Sequence, residues 1–254
     1  SLRSQLPCLT PVQDTVSQSV RDQYEENPYP RWVNTGMQEK GKAIGSVLRD
    51  APISLDLGNY VSPEKPEILI AGCGTGQHAL FTANRFLNSR VCAVDLSLSS
   101  LSYALRKTEE LDVTNIEYAQ ADIMELGSLG RQFDIIESVG VLHHLGDPLV
   151  GWKVLVDLLR PGGLMNLGLY SETARQYIVA GRSLIAEKEY TTSHEDIRQC
   201  RQDVITRTEN GDLSLEKLLD RRDFYSLSEC RDLLFHVQEH RFTLTQIESA
   251  LKSL

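Results

Sequence analysis

The chain has 254 residues, 41% of them hydrophobic and 24% charged, enough for one large or two small domains with a well-buried core. Its net charge of -9 is the opposite of the basic footprint that general nucleic-acid binding needs, and no run of 18 apolar residues is present to span a membrane. Five scattered cysteines (Cys8, Cys73, Cys92, Cys200 and Cys230) form no CxxC pair, so neither a disulfide framework nor a zinc site is signalled.

The first residues, "SLRSQLPCLTPVQD", lack the basic-then-apolar shape of a secretory signal, and a cytoplasmic location is expected. A helix is expected over "TPVQDTVSQSVRDQYEE", with Val12, Val16 and Val20 on one face. "ENPYPRW" follows, where Pro28 and Pro30 fix φ and remove two backbone donors, giving an extended, stiff segment. Such a segment is either a brace that packs Trp32 on its neighbour or a lid whose Tyr24, Tyr29 and Trp32 exclude water from a crevice. A second helix is expected over "TGMQEKGKAIGSVLRD", then a "SPEKPE" linker, so that residues 1–65 read as an N-terminal helical and lid region.

Residues 66–171 alternate short apolar runs with helical patterns, the mark of βαβ units and a mostly parallel, doubly wound α/β sheet. The strands are read at 67–72, 90–96, 115–122, 133–139 and 163–171, with helices near "QHALFTANRFLN", "SLSSLSYALRKTEEL" and "PLVGWKVLVDLLRPGG". Residues 172–254 read as helical throughout, with Tyr170 just before them and His236 within them as candidate ligand contacts. No strand pattern follows residue 172, so the final strands usual in such sheets are not evident.

The first strand runs into "AGCGTG". Gly72, Gly74 and Gly76 are spaced G-x-G-x-G, not the G-x-G-x-x-G that cradles a dinucleotide pyrophosphate, which disfavours a nicotinamide enzyme. A turn of this kind lets backbone approach a ligand closely and suits a nucleoside-bearing amino acid. Asp95 ends the second strand 19 residues after Gly76, where an acid can take the two hydroxyls of a ribose or cap the next helix. Asp122 ends the third strand, where a carboxylate can accept from an exocyclic adenine amine or, again, cap. The fourth strand delivers Ser138 and Val139 to the edge at which such sheets bind ligands.

These motifs, "AGCGTG", Asp95, "AQAD", "ESVGVLHHLGDP" and "LLRPGGLMNLGLYS", in this order over about residues 66–171, resemble those of the class I S-adenosylmethionine-dependent methyltransferases. The resemblance implies a Rossmann-like sheet, S-adenosylmethionine as cofactor and S-adenosylhomocysteine as product. It implies that Gly72, Cys73, Gly74 and Gly76 lie against the methionine part, that Asp95 takes the ribose, that Leu96 and Ile123 sandwich the adenine, and that Asp122 reads its amine. "QYEENPYPRW" together with "DFYSLSECRDLLFHVQEHRFTL" narrows it. They are similar to the methyltransferase domain attached to tetratricopeptide repeats in bacterial proteins, and to rickettsial enzymes that methylate lysines of an outer-membrane protein.

The expected reaction is therefore methyl transfer to a protein side chain, lysine before others, with residues 172–254 as an acceptor-recognition region and Tyr29, Trp32, Tyr170 and His236 as the candidate acceptor contacts. A small-molecule acceptor and a catalytically idle cofactor-binding domain stand as alternatives, and a tetratricopeptide-repeat partner or neighbouring domain is a further expectation. The cofactor is already activated, so the protein supplies alignment and exclusion of water. A lysine must first lose a proton, and His143 or His144 is the candidate base, against a purely structural role for the pair. Adjacent histidines diverge and have no third ligand, so no metal is expected. In the lid reading, Arg31 offers a planar donor pair to the cofactor's carboxylate.

Overall fold

A computed structural model describes residues 2–36, 41–50, 58 and 60–254. The chain divides into two compact units, Ser1–Gly168 and Leu169–Leu254, so the N-terminal segment and the sheet share one unit.

Five parallel strands form the sheet of the first unit: β1 (Glu67–Ala71), β2 (Arg90–Asp95), β3 (Ile116–Gln120), β4 (Phe133–Val139) and β5 (Leu159–Gly168), in the order β3-β2-β1-β4-β5. Parallel strands are covered on both faces, which is why "EILIA" and "RVCAVD" are nearly continuous apolar runs. Ile68, Leu69 and Ile70 are fully buried, and each such side chain contributes about 1.5–3 kcal/mol of apolar burial. The strand order reverses between β1 and β4, and the crevice at such a switch point is where α/β sheets bind ligands.

Helices α1 (Thr15–Glu26), α2 (Ile44–Arg49), α3 (Gln77–Arg85), α4 (Leu98–Glu110) and α5 (Pro148–Asp157) accompany the sheet. Two expectations are corrected. Helix α1 begins at Thr15, because Asp14 caps it by accepting from Ser17 N; Val12 lies before the helix and only Val20 of the valine series is fully buried. The fifth strand begins at Leu159, and its pairing with β4 jumps from Phe133–Leu159 to Ile135–Leu164, because "RPGG" forms a bulge. It ends at Gly168, so Tyr170 is not a strand residue. Residues 37–40 of the predicted second helix lie outside the described residues.

The second unit is helical: α6 (Gln176–Glu187), α7 (His194–Glu209), α8 (Glu216–Leu219), α9 (Leu227–Phe235) and α10 (Leu244–Ser253). Ile178, Leu184, Ile197, Val204, Leu218, Phe224 and Leu234 make up its core. Among the described residues its extended backbone is a single bridge, Ser171 to Phe242, and no further strand joins the sheet.

Candidate active site

The turn after β1 has positive φ at Gly72 (82°), Gly74 (52°) and Gly76 (85°). A side chain is excluded at each by the protein itself. A Cβ would lie 2.4 Å from Val141 Cγ2 at Gly72, 2.5 Å from the Tyr29 carbonyl oxygen at Gly74, and 2.5 Å from Ala104 Cβ at Gly76. At these three positions the space that a side chain would need is filled by the chain itself. The turn's own N–H groups are also engaged. Those of Gly72 and Cys73 donate to Val94 O, that of Gly74 to Asp95 Oδ2 and that of Thr75 to Tyr29 O. The Cys73 thiol is buried, and its desolvation, with the Asp95 charge, pushes it well above the ordinary range.

The proline segment lies on this turn. Besides the Tyr29 bond, Thr75 Oγ1 donates to Pro30 O at 2.7 Å, and Trp32 Nε1 donates to Thr75 Oγ1 and O at 3.0 and 3.2 Å. The Tyr29–Pro30 peptide is cis. Trp32 is buried, packed edge-on to Tyr103, whose hydroxyl donates to the Trp32 carbonyl. The Trp32 indole thus braces the glycine turn. Arg31, beside it, is exposed and makes no ion pair with the described residues. The end of α1 is tied to the same edge of the sheet. The Tyr24 carbonyl accepts from Ser97 Oγ, and Glu25 accepts from Ser99 N and Oγ, fastening α1 to the start of α4.

The two strand-end acids differ in what they leave free. Asp95 accepts from Gly74 N at 2.8 Å on one oxygen and from Ser97 N at 2.9 Å on the other, so it ties the glycine turn to β2, while Ser97 caps α4. Burial raises its carboxyl above the usual aspartate value despite those bonds. Asp122, 1% exposed, uses Oδ1 to accept from Met124 N and so caps the 3-10 turn Ile123–Leu129. Its Oδ2 is buried with no hydrogen-bond partner among the described residues, an unmet acceptor that calls for a donor. Ile123 is buried beside it, and Leu96 is half-buried, its carbonyl accepting from Gln120 Nε2.

On β4, Ser138 is sealed and donates to Ala71 O, whereas Val139 stands 47% exposed at the strand end. His143 and His144 occupy the 3-10 turn after it, 0% and 5% exposed, their rings edge to face at 4.3 Å. In the second unit, His236 is buried and accepts from Gln238 N, and the Tyr170 ring lies under the Arg175 guanidinium at 3.6 Å. Desolvation raises the Tyr170 hydroxyl to about 12.

Two residues near the glycine turn escape the sequence reading. His78, in the first turn of α3, sits 2.9 Å from Glu137 of β4, a carboxylate sealed inside the sheet. An acid inside the apolar run "FDIIESV" is the signal that could have exposed the pair, since buried acids are rare unless partnered.

Comparison with known proteins agrees with this architecture. Residues 68–163 match the family described as "Methyltransferase domain". An uncharacterized protein of Synechococcus sp. is 31% identical over 72% of this chain and 44% of its own length. The ubiquinone biosynthesis O-methyltransferase of Acinetobacter baylyi is 30% identical over 45% of this chain and 48% of its own length. The solved structure of PKMT2 from Rickettsia typhi in complex with AdoHcy superposes with a TM-score of 0.62, at 21% identity, over 74% of this chain and 39% of that one. The chain thus spans about half the length, or less, of the curated relatives it matches. Its sheet-bearing region belongs to the class I S-adenosylmethionine-dependent methyltransferases. S-adenosylmethionine is the cofactor of that class, and the site fits it: the unmet Asp122 acceptor and the apolar Leu96 and Ile123 offer what an adenine needs.

Proposed function

We propose that the chain transfers a methyl group from S-adenosylmethionine to a protein side chain, with lysine the leading acceptor. The observation that carries the cofactor half is the buried Asp122 Oδ2 just beyond β3, without a hydrogen-bond partner among the described residues and one strand from Asp95. In this reading Asp122 accepts from the adenine amine, Leu96 and Ile123 flank the ring, and Asp95 uses its remaining lone pairs for the ribose hydroxyls. The backbone of Gly72–Gly76, Cys73 included, lines the methionine part, and Ser138 and Val139 form the wall near the sulfur. Tyr24 and Tyr29 belong to the roof, and exposed Arg31 is available to pair with the cofactor's carboxylate. When bound, S-adenosylmethionine supplies an electrophilic methyl group, and the protein's task is to align the acceptor and exclude water.

The net charge of -9 supports a cationic acceptor such as a lysine-bearing protein. Similarity to ubiquinone O-methyltransferases over about half the chain favours a second reading, a small-molecule acceptor. Tyr170 and His236 remain the proposed acceptor contacts from the helical unit. A base role for His143 or His144 is the more demanding part of the proposal, because both rings are sealed and the turn holding them would have to open. The deciding experiment is transfer of a labelled methyl group, scored in parallel on lysine-rich proteins and on small phenols and amines. Label on protein lysine supports the first reading, label on small molecules alone supports the second, and no transfer to either overturns both.

A further inference from the structure

We propose that His78 is the proton-accepting group of the methyl-transfer site and that Glu137 is the positioning residue that holds it in its accepting form. The inference rests on the reading above and deepens it.

His78 is the second residue of α3, directly behind the glycine turn, and Glu137 precedes Ser138 on β4. Both stand at the carboxyl end of the sheet, at the switch point between β1 and β4. The Glu137 side chain is 4% exposed. Its Oε2 accepts from His78 Nε2 at 2.9 Å and from Thr82 Oγ1 at 2.5 Å, and Asn166, its register partner on β5, also donates to it. Burial alone would push this carboxyl up; the hydrogen bonds it accepts from His78, Thr82 and Asn166 outweigh it and hold the carboxyl below the ordinary glutamate value.

An ionised carboxylate only accepts, so the hydrogen of a neutral imidazole must sit on Nε2. The lone pair is then on Nδ1, which makes no hydrogen bond with the described residues, on a side chain that is 32% exposed. A helix N-terminus disfavours positive charge, and the carboxylate behind the ring offsets that. As a mere staple between α3 and β4 the arrangement is costly, since it seals the Glu137 carboxylate where an apolar side chain would need no partner. The cost is explained if the ring must gain and lose a proton.

In that step an N–H or O–H bond of the acceptor breaks, and its electron pair stays on the acceptor atom as the nucleophilic lone pair. The proton forms a new N–H bond at Nδ1. The resulting imidazolium is neutralised by Glu137, the arrangement by which a carboxylate orients and supports a basic histidine elsewhere. His143 and His144 are sealed, so His78 is better placed for the exchange.

The test uses the full chain labelled with 15N-histidine, whose six imidazoles are separable by long-range proton–nitrogen correlation. The His78→Asn variant identifies the His78 signal by its loss. The expected result is an Nε2–H tautomer in the wild type, signals that shift on saturation with S-adenosylhomocysteine, and a mixed tautomer in Glu137→Gln. With the acceptor found by the labelled-methyl screen, His78→Asn should lower turnover by about a hundredfold while S-adenosylhomocysteine affinity stays within about twofold. An Nδ1–H tautomer, or His78 signals unmoved by S-adenosylhomocysteine that demonstrably binds, overturns the inference and leaves the cofactor reading intact. Failure of S-adenosylhomocysteine to bind the wild type overturns both.

Discussion

In the sheet-bearing unit, polar groups near the strand ends have capacity unspent among the described residues: the buried Asp122 Oδ2 has no donor, and the partly exposed His78, on α3, keeps a bare nitrogen while Glu137 holds its other side. In the helical unit, Glu239 is 2% exposed and closed off, gripped by Arg175 through both carboxylate oxygens and approached by Arg241 at 3.6 Å. Burying charge costs free energy in either place. A closed pair returns that cost as order within the fold, whereas an open valence beside a ligand crevice is offset when a donor from the ligand fills it. The contrast separates bracing from binding without reference to any relative.

Breaking the closed pair should give the largest effect on stability. Arg175→Ala leaves Glu239 buried with only the longer Arg241 contact, and removing one partner of such a pair costs about 3–5 kcal/mol. Urea unfolding followed by circular dichroism should show that loss, with S-adenosylhomocysteine affinity unchanged; a loss below about 1 kcal/mol would mean the pair is not closed in the sense argued.

Gly74→Ala attacks the junction of glycine turn and proline segment. Its left-handed backbone costs a non-glycine residue about 1–2 kcal/mol, and the new Cβ meets the Tyr29 carbonyl at 2.5 Å, so the segment must lift. Cofactor affinity should fall at least about tenfold, which corresponds to 1.4 kcal/mol. Retained affinity would detach the proline segment from cofactor binding.

Trp32→Phe keeps the ring and deletes the N–H that serves Thr75. A brace predicts a stability loss of about 1 kcal/mol and affinity within about twofold of wild type. A large affinity loss at full stability would return Trp32 to the site.

The smallest effect is in acid. The folded value of Glu137 lies below its unfolded one, so its contribution is present above the ordinary glutamate value and is lost as pH falls through the folded value. Glu137→Gln should flatten that part of the stability–pH curve measured by thermal melting. An unchanged acid limb would show that the carboxylate is not held ionised by His78.

Much of this was legible in the residues, and the misses have physical causes. "EILIA", "RVCAVD" and "FDIIESV" announce parallel strands, because burial on both faces removes alternation. The glycine spacing and the acids at positions 95 and 122 were readable for the same reason: each sits where an apolar run stops. The start of β5 was hidden, since "RPGG" carries turn chemistry and only pairing with β4 makes Leu159 a strand residue. The target of each glycine was also hidden, because Val141, Tyr29 and Ala104 are distant in sequence. His78 and Glu137 are 59 positions apart, and only the β1–β4 adjacency brings helix α3 over Glu137.

The central claim, that the open valences at the strand ends hold S-adenosylmethionine, is tested most directly by titration calorimetry of S-adenosylhomocysteine into wild type, Asp95→Ala and Asp122→Ala. The account predicts saturable binding to the wild type and at least about tenfold weaker binding to each variant, in line with the 1.5–3 kcal/mol of a hydrogen bond to a charged group. Absence of binding to the wild type, or equal affinity in all three, would contradict it.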